Sequence, residues 1–120
     1  MKRKKVQKKT KKQRTLRQVR EDPGALQYAP KEFRKNREVV INAVKRNGLA
    51  LKYASEKLKG DTKLVMVAVK GSGYALEYAS EELRGDKRVV LAAVNRNGGA
   101  LAYASEELKG DRQVVLAAIY

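Results

Sequence analysis

Between Asp86 and Gly98 the apolar residues Val89, Val90, Leu91, Ala93 and Val94 stand together in one block, and similar blocks recur along the chain every 25 residues. The period carries other columns with it. Leu26, Leu51, Leu76 and Leu101 fall in register, as do Tyr28, Tyr53, Tyr78 and Tyr103, and Phe33, Leu58, Leu83 and Leu108. The stretch from Tyr78 to Asp86 returns almost unchanged from Tyr103 to Asp111. A fixed period of roughly 20–50 residues marks a stacked array whose units bury their apolar faces against one another rather than alone.

Within one unit the pattern predicts a capped helix, a shorter second helix and a turn. Asp86 is placed to accept from the free N–H groups of the turn that follows it. Arg96 lies near the negative end of that helix, and Gly98 is expected in the left-handed conformation that stops it. Lys87 and Arg88 sit at the wrong end for the helix dipole, a penalty of tenths of a kcal/mol. Burial of each large apolar side chain, at about 1.5–3 kcal/mol, outweighs it. Ala100-Leu101-Ala102-Tyr103-Ala104 is expected to form the shorter helix. Ser105 then caps a turn that brings Leu108 inward, and Gly110 permits the bend into Asp111. The competing reading is a strand in a leucine-rich solenoid, since Val-Val-Leu-Ala-Ala-Val is short enough for either. The central alanines, the clustering of apolar residues and the absence of L-x-x-L-x-L-x-x-N favour helix. The expected fold class is all-α, a short-helix tandem repeat array of solenoid type.

Carried backwards, the frame places Leu16 and Val19 one period before Ile41 and Val44, and Pro23-Gly24 where Gly48-Leu49 follows. Residues 12–22 therefore read as a degenerate cap helix with a basic outer surface, preceded by a basic tail over 1–11. The copies run 25–49, 50–74 and 75–99, with a partial copy over 100–120 that stops within a helix.

Laid out from Asp86 to Leu108, the repeat D-x-x-V-V-L-x-A-V-x-x-N-G-x-A-L-x-Y-A-S-x-E-L resembles the tandem family called domain of unknown function 4116. The likeness covers residues 25–120. It implies a short-helix repeat used in arrays and brings no catalytic residue, substrate or cofactor with it. Copy one departs at Pro30, where others have Ser, and at Lys35, where others have Gly. The following copy has Gly71-Ser72-Gly73 in place of an Asn-Gly stop.

Charge divides the chain unevenly. Residues 1–20 hold seven Lys and four Arg with no acid, so +11 of the formal +15 lies there. The cations are Lys2, Arg3, Lys4, Lys5, Lys8, Lys9, Lys11, Lys12, Arg14, Arg17 and Arg20. Clusters of this density are read as nuclear-import signals or as arms that neutralise phosphates. A solubilising tail is the plain alternative. Only Val6, Leu16 and Val19 are apolar there, too few for an amphipathic membrane helix, a calmodulin target or a mitochondrial presequence. No apolar run approaches the roughly 18 residues that span a bilayer. The absence of cysteine excludes disulfides and thiolate metal sites and fits a reducing compartment.

The search for reaction chemistry returns nothing. No histidine is present to serve Ser55, Ser80 or Ser105, which read as caps. Glu81-Glu82 and Glu106-Glu107 point about 100° apart on a helix and do not converge. Gly71-Ser72-Gly73 lacks the rest of a phosphate loop, and Asp61, Asp86 and Asp111 are too sparse for a calcium loop. The four tyrosines form a column that could stack bases, but they read better as core rings with hydroxyls at the rim. The sequence therefore predicts a non-enzymatic, cofactor-free, intracellular binding module. Its basic tail is expected to contact RNA or DNA phosphates, and its repeat surface a protein. The alternative is a protein-interaction scaffold whose tail is an import or solubilising segment.

Overall fold

A computed structural model describes residues 10–120. Each copy contributes a long helix, a 3-10 segment and a helix of one turn. The long helices are α1 (Lys11–Glu21), α3 (Arg37–Arg46), α5 (Thr62–Gly71), α7 (Lys87–Arg96) and α9 (Arg112–Ile119). The 3-10 segments are Pro23–Tyr28, Gly48–Tyr53, Gly73–Tyr78 and Gly98–Tyr103. The one-turn helices are α2 (Lys31–Arg34), α4 (Glu56–Lys59), α6 (Glu81–Arg84) and α8 (Glu106–Lys109). Each long helix packs on the next long helix, and each 3-10 segment on the next 3-10 segment. No strand occurs among the described residues.

Period and burial agree column by column. Val39, Val40, Ala43 and Val44 of α3 are buried, as are Leu64, Val65, Ala68 and Val69 of α5 and Val89, Val90, Ala93 and Val94 of α7. Phe33, Leu58, Leu83 and Leu108 are buried from the one-turn helices. Local capping sets where the helices begin. Asp61 Oδ1 accepts from Leu64 N at 3.0 Å, Asp86 Oδ1 from Arg88 N at 2.9 Å and Asp111 Oδ1 from Val114 N at 3.1 Å. Ser55, Ser80 and Ser105 accept from the N–H three residues on, at 3.3–3.4 Å, which settles their role as caps.

Ties between copies follow the same period. Ser55 N donates to Arg34 O, Ser80 N to Lys59 O and Ser105 N to Arg84 O, each at 2.9 Å. Pro30 stands in that column without an N–H, so the ladder begins at Ser55. Arg37 reaches Asp61 at 2.9 Å and Lys87 reaches Asp111 at 3.1 Å. Lys87, unfavourable to its own helix, thus neutralises the cap of the next. Arg96 Nε donates to Gly71 O at 3.2 Å, closing the end of the preceding long helix rather than its own.

Two expectations change. Gly98 is not left-handed, and no described residue has positive φ. Asn97 is extended and Gly98 opens the 3-10 segment directly. Its glycine is required because a Cβ would lie 2.2 Å from Ala118 O of the following helix; Gly48 and Gly73 meet Ala68 O and Ala93 O in the same way at 2.1 and 2.2 Å. The Gly71-Ser72-Gly73 junction keeps the shape of the Asn-Gly ones, with Ser72 at φ −147° and ψ 112° beside Asn97 at φ −144° and ψ 109°. The cap helix also starts one residue earlier than expected, so Lys11 belongs to α1 and not to the tail.

Candidate nucleic-acid interface

Helix α1 is set by its own first turn. Thr10 Oγ1 accepts from Gln13 N at 3.1 Å while Thr10 N donates to Gln13 Oε1 at 2.8 Å, a reciprocal cap that fixes the start. Thr15, Leu16 and Val19 are buried against the array. The Thr15 hydroxyl donates to Lys11 O at 2.9 Å, so its burial leaves no orphan group. Arg14 and Arg17 lie opposite these residues, with Lys11 and Arg20 on the flanks, all exposed, and Glu21 is the one acid of the helix.

The five described cations differ in availability. Lys12 is half-buried, and its Nζ lies 2.6 Å from Glu38 Oε2 of α3, so it clamps α1 to the first copy. That hydrogen bond, and the Lys12 charge behind it, hold the Glu38 carboxyl below its ordinary value. Arg17 pairs with Glu21 at 3.3 Å on an open surface, a contact worth at most tenths of a kcal/mol. Arg20 Nε donates to the neutral Asn42 Oδ1 at 3.3 Å, which orients the guanidinium, and the Arg20 charge adds to the lowering of the Glu38 carboxyl. Lys2, Arg3, Lys4, Lys5, Lys8 and Lys9 lie outside the described residues.

The tyrosine column sits along the 3-10 row. Tyr53, Tyr78 and Tyr103 are half-buried on the core, as expected, whereas Tyr28 is 83% exposed. Lys52 Nζ lies 5.9 and 6.0 Å from the Tyr53 and Tyr78 ring centres. A cation therefore already stands over these two rings, where a base would have to stack.

The family model for domain of unknown function DUF4116 matches residues 19–59, 36–84 and 86–120. The chain belongs to the DUF4116 family. The matches follow the repeat from the end of α1 through every copy. No curated protein and no solved structure matches the chain.

Among the described residues of this DUF4116 array no group of His, Cys, Asp or Glu is placed to hold a metal ion. No described helix is long and apolar enough to cross a membrane. The structure does show a feature missed in the sequence. Between the first two copies a cleft of about 320 Å³ is lined by Lys31, Arg34, Lys35, Tyr53, Ala54, Ser55 and Glu56. Two copies on, an equivalent cleft is lined by Arg84, Tyr103, Ala104, Ser105 and Glu106, with Glu81 and Lys109. Arg34 Nε and Arg84 Nε are both buried without a hydrogen-bond partner. The available signal was columnar: Lys31 stands where other copies have Glu56, Glu81 and Glu106, and Lys35 where they have Gly60, Gly85 and Gly110.

Proposed function

We propose that this chain is a non-enzymatic helical repeat module that holds nucleic acid through phosphate contacts, made by α1 and the basic run before it. The observation that carries this reading is the outer face of α1. A capped helix packed through Leu16 and Val19 leaves Lys11, Arg14, Arg17 and Arg20 exposed around its outer side. Cations without base-reading partners supply affinity rather than sequence choice, so binding is expected to be promiscuous between RNA and DNA. In a eukaryote, a nuclear or nucleic-acid-associated location goes with this reading.

The repeat surface supports a second contact of a different kind. Leu49 and Tyr74 occupy one column of the 3-10 row and are 41% and 45% exposed, an apolar edge suited to a protein partner. This edge carries the alternative reading, a scaffold whose basic segment serves only import or solubility.

Fluorescence anisotropy of labelled RNA and DNA duplexes and single strands, titrated across salt, separates the two. Log K should fall with log salt by about 0.9 per phosphate contact on duplex DNA and about 0.7 on single strands. Removing residues 1–9 leaves the Thr10 cap intact and should take away most of the slope. Arg14→Gln, Arg17→Gln and Arg20→Gln together should then erase the remainder. Absence of salt-dependent binding by the full chain refutes the proposal, as does undiminished binding once both sets of cations are gone.

A further inference from the structure

We propose that the cleft between the first two copies, walled by Lys31, Arg34, Lys35 and Tyr53, binds a nucleotide-sized phosphate monoester. None of its lining residues belongs to α1. The inference therefore stands apart from the basic face described above.

Four observations converge on this cleft. Its Arg34 has a buried Nε without a hydrogen-bond partner, as Arg84 has in the equivalent cleft, and among the described residues neither Lys31, Arg34 nor Lys35 forms an ion pair. A guanidinium that has lost water on one flank gains more from a bound anion than a fully hydrated one does. The carboxylate that faces these cations is Glu56, and it is already engaged by Lys59 Nζ at 3.3 Å. Three cations against one acid leave a surplus of two, which matches a phosphate dianion better than a single carboxylate. The Ser55 hydroxyl accepts from Leu58 N, and its proton remains free to donate. Tyr53 and Ala54 give the same cleft an apolar wall, and its volume reaches the lower range of small-molecule sites.

The equivalent cleft two copies on is an internal control. It keeps the Arg84, Tyr103 and Ser105 frame, but its charged residues Arg84 and Lys109 are balanced by Glu81 and Glu106. Lys109 Nζ is held by Glu106 at 3.1 Å. Its charge is neutral where that of the first cleft is positive, so the anion should choose the first.

Isothermal titration of the full chain with a 5′-nucleoside monophosphate, inorganic phosphate and the unphosphorylated nucleoside tests this. The monophosphate should bind one per chain, and the other two should each bind about tenfold more weakly or worse. The double variant Lys31→Glu with Lys35→Gly restores residues that the other copies carry, so its thermal melt should be unchanged. Its monophosphate affinity should fall about tenfold or more, the scale of one charge-assisted hydrogen bond. Arg84→Lys, and the triple Arg14, Arg17 and Arg20 to Gln variant, should leave affinity unchanged. Absence of monophosphate binding overturns the proposal, and so does undiminished affinity in the Lys31, Lys35 double variant. Equal affinity for inorganic phosphate overturns the assignment of a nucleotide-sized ligand.

Discussion

Two glycines two residues apart should respond to alanine with opposite signs. At Gly73 a Cβ would lie 2.2 Å from Ala93 O and 3.1 Å from both Ala93 C and Asn97 Cβ. The clash is with backbone of the next long helix, so no side-chain rotation relieves it, and the two copies must part by about 1 Å. A gap of that size forfeits a quarter to a half of the dispersion energy of each contact across it. It also stretches the bond from Gly73 N to Asn97 Oδ1, now 2.8 Å. Overpacking of this kind costs about 1–3 kcal/mol and more where the backbone must move, so a loss of about 3 kcal/mol is expected. At Gly71, the last residue of α5, the nearest foreign atom to an added Cβ is Gly48 N at 4.0 Å. There alanine should stabilise by roughly 0.4–1 kcal/mol through the unfolded chain and helix propensity alone. Urea unfolding followed by circular dichroism reads both. Because each copy touches only its neighbours, Gly73→Ala should also lower the slope of the transition as the halves uncouple. A neutral or stabilising Gly73→Ala would refute the close approach of the copies.

Leu83→Ala and Leu108→Ala should each cost about 2–5 kcal/mol, since both side chains are buried under the one-turn helices, and urea midpoints measure the loss. Glu82→Gln and Glu107→Gln, both at exposed positions, should move the same midpoints by less than ~0.5 kcal/mol. Acid should weaken the array through Asp111, Asp86, Asp61 and Glu38. The Val114 N–H and Lys87 hold Asp111 below its ordinary value, and Arg88 does so for Asp86. At Asp61 partial burial works the other way, but the Leu64 N–H and Arg37 outweigh it. Depressed folded values mean the stabilisation is present above the ordinary carboxylate values of 3.8 and 4.5 and is lost as pH falls through the folded ones. Thermal melts should be flat from pH 7 to about 5 and decline below about 4.

The Asp and Ser caps could be read from the chain because each depends on residues within one turn, and the all-α class, the period and the buried leucine column because the same pattern recurs every 25 residues. What escaped lies between copies. Gly98 reads locally as a left-handed helix stop, yet its constraint is Ala118 of the next copy. Arg96 reads as a partner for its own helix end and instead closes the helix before it. Lys12 reads as one of the nucleic-acid cations, yet its charge is taken by Glu38 across the first joint. Local rules do not encode how far one copy is displaced against the next, and that displacement decides which cations remain free.

The copies serve as controls for one another. Columns that recur from copy to copy are accounted for by stacking: the buried Phe33, Leu58, Leu83 and Leu108, and Ser55, Ser80 and Ser105, whose N–H groups tie copy to copy. Departures then isolate what stacking does not require. They concentrate between Pro30 and Lys35, around the Arg34 that α2 shares with its equivalents Lys59, Arg84 and Lys109. Copies bearing Glu and Gly in the Lys31 and Lys35 columns form the same one-turn helix and the same backbone ties. Neither lysine is therefore needed for the fold, and Lys31 occupies a helix start that favours an acid. Arg84 shares the buried, unpartnered Nε, so what sets the first cleft apart is its two added lysines, Lys31 against the preference of its helix start and Lys35 dispensable for the fold, and an anion held between them accounts for both.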